Sequence, residues 1–294
     1  MDARVRIPSP AFFDTLLGLL LKNLLKVLIS TTHIASPMGK IGISSMALWN
    51  YTPEEAVRRV SELGFKSWEI VLEGRHLQKD YTEVKELAKT HEIELFVHAP
   101  FSDLNIASLN KSIRKETLEQ IFEAVKIAHF LNAKIITLHS GRLSPLGLSF
   151  KEKAWKTNLA SIGEILEFCS DFNPVPCLEN MPNFHGTFCC KKDELWEVLE
   201  IYPSIGLTLD IAHTHTCGDE IDFLKEFEEK VLHVHLHDND GLGDSHSAVG
   251  EGNIDFKRVM YNLKDFGGCK IIETKSEDAA VLSKRKLEEQ ISSL

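Results

Sequence analysis

The sequence predicts an α/β fold, a single-domain (β/α)8 TIM barrel. From residue 40 onward, short apolar runs alternate with longer segments of helical period. The runs are unbroken rather than alternating, as expected of parallel strands buried on both faces. No Pro-, Gly- or Ser-rich linker, low-complexity tract or charge block divides the chain. Strand–helix units in this order imply a parallel sheet with right-handed crossovers, and eight of them suffice to close a barrel.

The eight expected strands are KIGIS (40–44), SWEIVL (67–72), IELFVH (93–98), KIITLH (134–139), VPCLEN (175–180), GLTLDI (206–211), VLHVHLH (231–237) and CKIIET (269–274). The first helix is the most clearly written. Thr52 caps it, Pro53 suits its first turn, and Glu55 completes a capping box. Ala56, Val57, Val60 and Leu63 form one apolar face, and Gly64 ends it. Further helices are expected at about 82–90, 113–131, 150–170, 193–201, 220–229, 255–265 and 277–291.

Residues 1–37 stand apart. FFDTLLGLLLKNLLKVLIS (11–29) is strongly apolar, but Asp14, Lys22 and Lys26 interrupt it, which makes a poor membrane span. Arg4 and Arg6 precede it, and Ile34-Ala35-Ser36 can be read as a cleavage site, so a targeting segment is one reading. An amphipathic helix packed on the barrel is another. The preferred expectation is that the functional chain begins at Met38, next to the first strand. The domains are then an apolar extension over 1–37 and a metal-dependent barrel over 38–294.

The 294 residues carry 43% hydrophobic and 26% charged side chains, an ordinary composition for a globular chain able to bury a large core. The net charge of −10 counts against nucleic-acid binding by surface electrostatics alone. It counts less against a metalloenzyme, because bound cations add charge that a formal count omits. The six cysteines include no C-x-x-C pair, which argues against both a disulfide framework and a thiolate zinc site. Reduced thiols in a cytoplasmic protein with no membrane partner are the expectation.

The chemistry is written at the strand ends. The third expected strand ends in His98 and the fourth in His139. The fifth carries Glu179, and the sixth Asp210 with His213 three residues on. The seventh carries histidines at 233, 235 and 237, the following loop Asp244 and His246, and the eighth Glu273. In a TIM barrel these ends share one rim, where active sites sit. Carboxylates and imidazoles crowded there need counter-charge, and divalent cations supply it. Imidazole and carboxylate without thiolate suit zinc, manganese, iron or cobalt. His233, His235 and His237 face one side by their period, so pattern alone does not choose among them. His215 is a similar decoy beside His213. His33, His76, His91, His129 and His185 read as surface or packing residues.

These segments resemble the xylose isomerase-like barrel superfamily and, within it, the endonuclease IV (AP endonuclease family 2) pattern. The matching stretches are FVHAPF (96–101), TLHSG (137–141), CLEN (177–180), LDIAH (209–213), VHLHD (234–238), DSHSAVGEGNI (244–254) and IIET (271–274). The resemblance spans residues 40 to 275 and selects His235 on the seventh strand. It implies three zinc ions: one on His98, His139 and Glu179; a second on Glu179, Asp210, His235 and Glu273; a third on His213, Asp244 and His246. The four-residue core Glu179, Asp210, His235 and Glu273 is shared with the sugar isomerases and epimerases of the superfamily. His98, His139, Asp244 and His246 carry the nuclease resemblance. One departure is the loop APFSDLN after His98, where the nucleases place a DNA-probing pair; Phe101 is the candidate wedge. Arg75 and Lys79 are candidates for contacting a phosphate backbone.

Two functions follow. The first is zinc-dependent phosphodiester hydrolysis at abasic sites in DNA, with Glu273 orienting or deprotonating the attacking water. The alternative is isomerisation or epimerisation of a small sugar or sugar phosphate. There one divalent ion such as Mn2+, Co2+ or Mg2+ sits on the core, and Glu179 and Glu273 shuttle the proton. A non-catalytic metal-binding module is a third class.

Overall fold

The computed structural model describes residues 39–218 and 220–292. The apolar segment at 11–29 and the proposed start at Met38 lie outside these residues.

Eight parallel strands close into a barrel in the order β1 to β8. They are β1 (Lys40–Ser44), β2 (Ser67–Val71), β3 (Glu94–His98), β4 (Ile135–Leu138), β5 (Val175–Glu179), β6 (Gly206–Asp210), β7 (Val231–Leu236) and β8 (Cys269–Ile272). Main-chain pairing of β1 with β8 completes the ring. The helices are α1 (Pro53–Glu62), α2 (Thr82–Thr90), α3 (Lys111–Phe130), α4 (Pro145–Ser149), α5 (Lys151–Cys169), α6 (Lys192–Ile201), α7 (Ile211–Thr216), α8 (Glu220–Glu226), α9 (Phe256–Asn262) and α10 (Glu277–Ser292).

The first helix starts as its sequence dictates. Thr52 Oγ1 accepts the Glu55 N–H at 3.3 Å, and Glu55 Oε2 accepts the Thr52 N–H at 2.9 Å. Elsewhere local chemistry moves the expected boundaries. Asn110 Oδ1 accepts the Ser112 and Ile113 N–H groups, so α3 opens at Lys111 rather than at 113. Ser144 caps a separate turn, α4, ahead of α5. Asp210 caps α7, so Ile211 leaves the strand and enters a helix. Helices α8 and α9 are shorter than the periodicity implies. No described helix is long and apolar enough to cross a membrane.

Side chains two residues apart on a strand share a face, so the barrel interior fills in layers contributed by alternate strands. Phe96, Cys177 and Ile271 belong to an apolar cluster low in the barrel. Above it the interior turns polar. Thr137 of β4 links Glu69 of β2 to Thr208 of β6: its Oγ1 is 3.0 Å from Glu69 Oε1 and 3.0 Å from Thr208 Oγ1. The rim side chains stand on this polar layer. Outside the barrel, Trp68, Ile70 and Leu72 join the larger core formed with the helices.

One buried cation sits away from the rim. Lys270 of β8 is fully buried; its ammonium lies 3.3 Å from the Phe266 carbonyl oxygen and 5.1 Å from the centre of that ring. Burial pushes its pKa down to about 8. The folded chain therefore gives up this proton near pH 8, whereas an unfolded chain holds it to about 10.5. The penalty is fully present below pH 8 and is relieved as pH rises through the window between these values. Lys270→Met is expected to stabilise the fold by about 3 kcal/mol below pH 8 and by little above pH 10.5. Urea melts of both chains at pH 7 and at pH 10.5 check this; an equal gap at both pH values would refute it.

Candidate metal centre

The carboxyl ends of β3 to β8 bring all nine expected rim residues together. Glu179, at the end of β5, is the hub. Its Oε2 lies 3.2 Å from His98 Nε2 and 2.9 Å from His139 Nε2. Its Oε1 lies 3.0 Å from His235 Nδ1, which is also 3.4 Å from Glu273 Oε2. Asp210 completes this group: Glu179, Asp210, His235 and Glu273 each offer a ligand atom, all within 4.8 Å of one another, and all four residues are buried.

A second group stands beside it. His246 Nε2 lies 3.1 Å and His213 Nε2 3.4 Å from Asp244 Oδ2. His237 belongs here too, with Nε2 3.2 Å from Asp210 Oδ2 and 3.5 Å from Asp244 Oδ1. The resemblance picks His235 and passes over His237, yet the structure gives each a place of its own. His233 lies deeper, with Nε2 3.4 Å from Glu69 Oε1 and its ring tilted against that of Phe96, centres 4.7 Å apart. The alternation along β7 reveals the face of these histidines but not their depth.

The backbone orients several of these rings. His98 Nδ1 donates to the Ala99 carbonyl at 2.7 Å, His213 Nδ1 to the Asn180 carbonyl at 2.8 Å, and His246 Nδ1 to the Glu273 carbonyl at 3.0 Å. Each ring thereby turns Nε2 towards a carboxylate. A histidine whose distal nitrogen is committed to a carbonyl or carboxylate is arranged as metal ligands usually are. Asn180 locks the frame from below, accepting the Asp210 N–H at 2.8 Å and donating to the Asp210 carbonyl at 3.0 Å.

Charge explains the perturbed protons. Burial alone would raise the Glu179 carboxyl, but His235 and His139 outweigh it and hold the group well below its usual range. Burial likewise opposes ionisation of Asp210, and His213 and His237 overcome it. Burial pulls His213 down, yet Asp210 and Asp244 hold it up to about 10. Burial disfavours charge on His235 too, but Glu273, Glu69 and Glu179 raise it well above its ordinary value. Without a cation the cluster thus stores protons on His213 and His235, whereas at His139 burial outweighs Glu179 and pulls the imidazole's pKa down. Among the described residues, the rim carboxylate oxygens Asp210 Oδ2 and Asp244 Oδ1 are buried with no well-formed hydrogen bond, as is Glu69 Oε2 below them. Acceptors left in that condition, amid imidazole nitrogens aimed inward, fit a divalent cation.

The cavity above the cluster measures about 340 Å³. His98, His139, Glu179, His213, Asp244, His246 and Glu273 border its floor, while Asp210 and His235 lie fully buried beneath. Phe101, Leu104, Ile106, Met181, Pro182 and Phe184 make apolar walls, and Arg142 is the sole Lys or Arg among the described lining. Phe101, the candidate wedge, is half-buried and packs on the histidines of the rim. Its ring lies 4.4 Å from that of His139 and 5.1 Å from that of His98. Glu73 fixes it there by accepting the Phe101 and Ser102 N–H groups at 2.5 and 2.6 Å. Arg75 and Lys79 are exposed and do not border the cavity. His76 is buried, its Nδ1 2.7 Å from Ser45 Oγ, which matches the packing role expected of it.

A family model described as xylose isomerase-like TIM barrel matches residues 57–294. A crystal structure of a D-tagatose 3-epimerase-like protein superposes with a TM-score of 0.81 at 35% identity, covering 86% of this chain and 97% of that one. A fructoselysine 3-epimerase of Shigella flexneri is 24% identical over 229 residues, 73% of this chain and 81% of its own. A probable endonuclease 4 of Mycoplasma mycoides subsp. mycoides is 26% identical over 217 residues, 65% of this chain and 72% of its own.

Proposed function

Because the chain belongs to the xylose isomerase-like TIM barrel family, we propose that it is a metal-dependent isomerase or epimerase of a small sugar or sugar phosphate. The observation that carries this reading is the buried quartet Glu179, Asp210, His235 and Glu273, whose ligand atoms converge within 4.8 Å at and just beneath the floor of a cavity of about 340 Å³. The epimerase names borne by two similar proteins, one of them 35% identical, point the same way. So does the wall, whose apolar character and single Arg142 offer little to a phosphate backbone.

A divalent ion on this quartet would polarise a carbonyl and its neighbouring hydroxyl, acidifying the proton on the hydroxyl-bearing carbon. The two glutamates then act as the proton carriers. One carboxylate takes the carbon-bound proton, and the other carboxyl returns a proton to the opposite face of that carbon, inverting it. His98, His139 and His213 border the same floor and are placed to hold substrate hydroxyls. Phe101 and the apolar wall bound the space above these carboxylates.

The pair of imidazole clusters around Glu179 and Asp244 keeps the hydrolase as a second reading, since both border the quartet. The two readings separate cleanly by experiment. The epimerase reading expects one tightly held cation per chain by elemental analysis. It also expects deuterium from solvent at a ketose carbon, seen by NMR on incubating D-fructose and related ketoses with the Mn2+-loaded protein. Three cations per chain with nicking of an abasic-site duplex would install the hydrolase instead.

A further inference from the structure

We propose that Glu69 is a positioning residue for His235, holding the imidazole with Nδ1 turned to the cation site; this rests on the metal-dependent reading above. His98, His213 and His246 present Nε2 to a carboxylate because a main-chain carbonyl takes Nδ1. His235 is turned the other way. Its Nδ1 faces Glu179 and Glu273, and its Nε2 points down into the barrel, where no main-chain acceptor among the described residues takes it. Glu69 Oε2 lies 2.8 Å from that nitrogen, an ion-pair contact in which neither atom makes an aligned hydrogen bond. The carboxylate thus occupies for His235 the place that carbonyls occupy for the other rings.

The two oxygens of Glu69 have separate tasks. Oε1 accepts the Thr137 hydroxyl at 3.0 Å, which is itself 3.0 Å from Thr208 Oγ1, so β4 and β6 pin the carboxylate. His233 Nε2 adds a contact to the same oxygen at 3.4 Å. Oε2 is left for His235. Packing does not account for such a group. TIM-barrel interiors are ordinarily filled by branched apolar side chains. Replacing a buried ion pair by well-packed apolar residues is often neutral or stabilising. A fully buried carboxylate under a ligand-type histidine is instead the outer partner that fixes tautomer and ring orientation.

The test titrates Mn2+ into metal-free protein by calorimetry, for the native chain, Glu69→Gln, Glu69→Leu and Thr137→Val. Removal of such outer partners lowers metal affinity by roughly 10–100-fold. Glu69→Leu is expected to weaken Mn2+ binding by that factor. Glu69→Gln should weaken it less, because the amide oxygen can still accept from Nε2, and Thr137→Val least. In ¹⁵N NMR of the diamagnetic Zn2+-loaded native chain, His235 should carry its proton on Nε2. Native-like Mn2+ affinity, within about twofold, in both Glu69 variants would overturn the assignment, as would a lowered melting temperature with affinity unchanged. Should Glu69→Leu fail to fold, the affinities of Glu69→Gln and Thr137→Val decide between the same two outcomes. Absence of saturable binding by the native chain would overturn the metal reading and this assignment together, whereas tight native binding with unaffected variants overturns this assignment alone.

Discussion

Glu179→Gln is expected to abolish catalysis and to destabilise the metal-free fold. Glu179 touches His98, His139 and His235, and it belongs both to the quartet and to the group it forms with His98 and His139. As a proton carrier its loss should lower kcat by roughly 10²–10⁴-fold. As a ligand its loss should weaken the cation besides, so the fall in activity at limiting metal exceeds that at saturating metal. The metal-free protein should suffer as well. Breaking a buried ion pair from one side costs about 3–5 kcal/mol when the partner charge is left unpaired, and the cost here should fall below that range because Glu273 and Glu69 still face the partner. Here that partner is chiefly His235, whose proton Glu179 helps to retain. Turnover at several Mn2+ concentrations and urea melts in chelator measure the two effects separately. A variant with native turnover would remove Glu179 from the reaction.

The second large effect is expected on metal withdrawal. A cation held at about 1,000 times its dissociation constant stabilises a fold by ~4 kcal/mol. For a chain of this size that corresponds to a melting temperature roughly 8–16 °C lower after chelation. The gap should depend on pH with a definite sign. The metal-free chain keeps a proton on His235, whose pKa stands well above the ordinary 6.5. That stabilisation is fully present below the unfolded value near 6.5 and is lost as pH rises through the raised folded value. A cation must displace the proton, so its apparent affinity climbs with pH. The loaded and stripped chains should therefore diverge in stability as pH rises above about 6.5. Melting curves with Mn2+ or EDTA at pH 6, 7 and 8 check the trend, and a gap that narrows with pH would contradict it.

The barrel was legible because its signals are periodic. Unbroken apolar runs name the parallel strands, and the polar residue closing each run names the rim. Asp210, Glu179 and Glu273 were visible for that reason. Depth was not legible. His233, His235 and His237 obey one alternation but serve three levels, beside Glu69, Glu179 and Asp210 respectively. Glu69 itself escaped notice, since a single charge in SWEIVL looks like an exposed position. Its parity with Val71, a residue bordering the cavity, was the available clue. Short elements such as α4 and α7 depend on one capping side chain each and carry no period. The lie of Phe101 depends on Glu73, a contact made across loops that sequence spacing does not encode.

The quartet at the floor comes from β5 to β8, while the apolar walls come largely from the loops after β3 and β5. Reactivity and recognition are therefore written in different stretches of chain. Loop residues such as Leu104, Met181 and Phe184 can vary without moving a ligand atom, so a change of preferred substrate needs no rebuilding of the proton-transfer apparatus. The same scaffold can in this way be re-addressed by exchanging a few wall side chains, with the effect falling on KM before kcat.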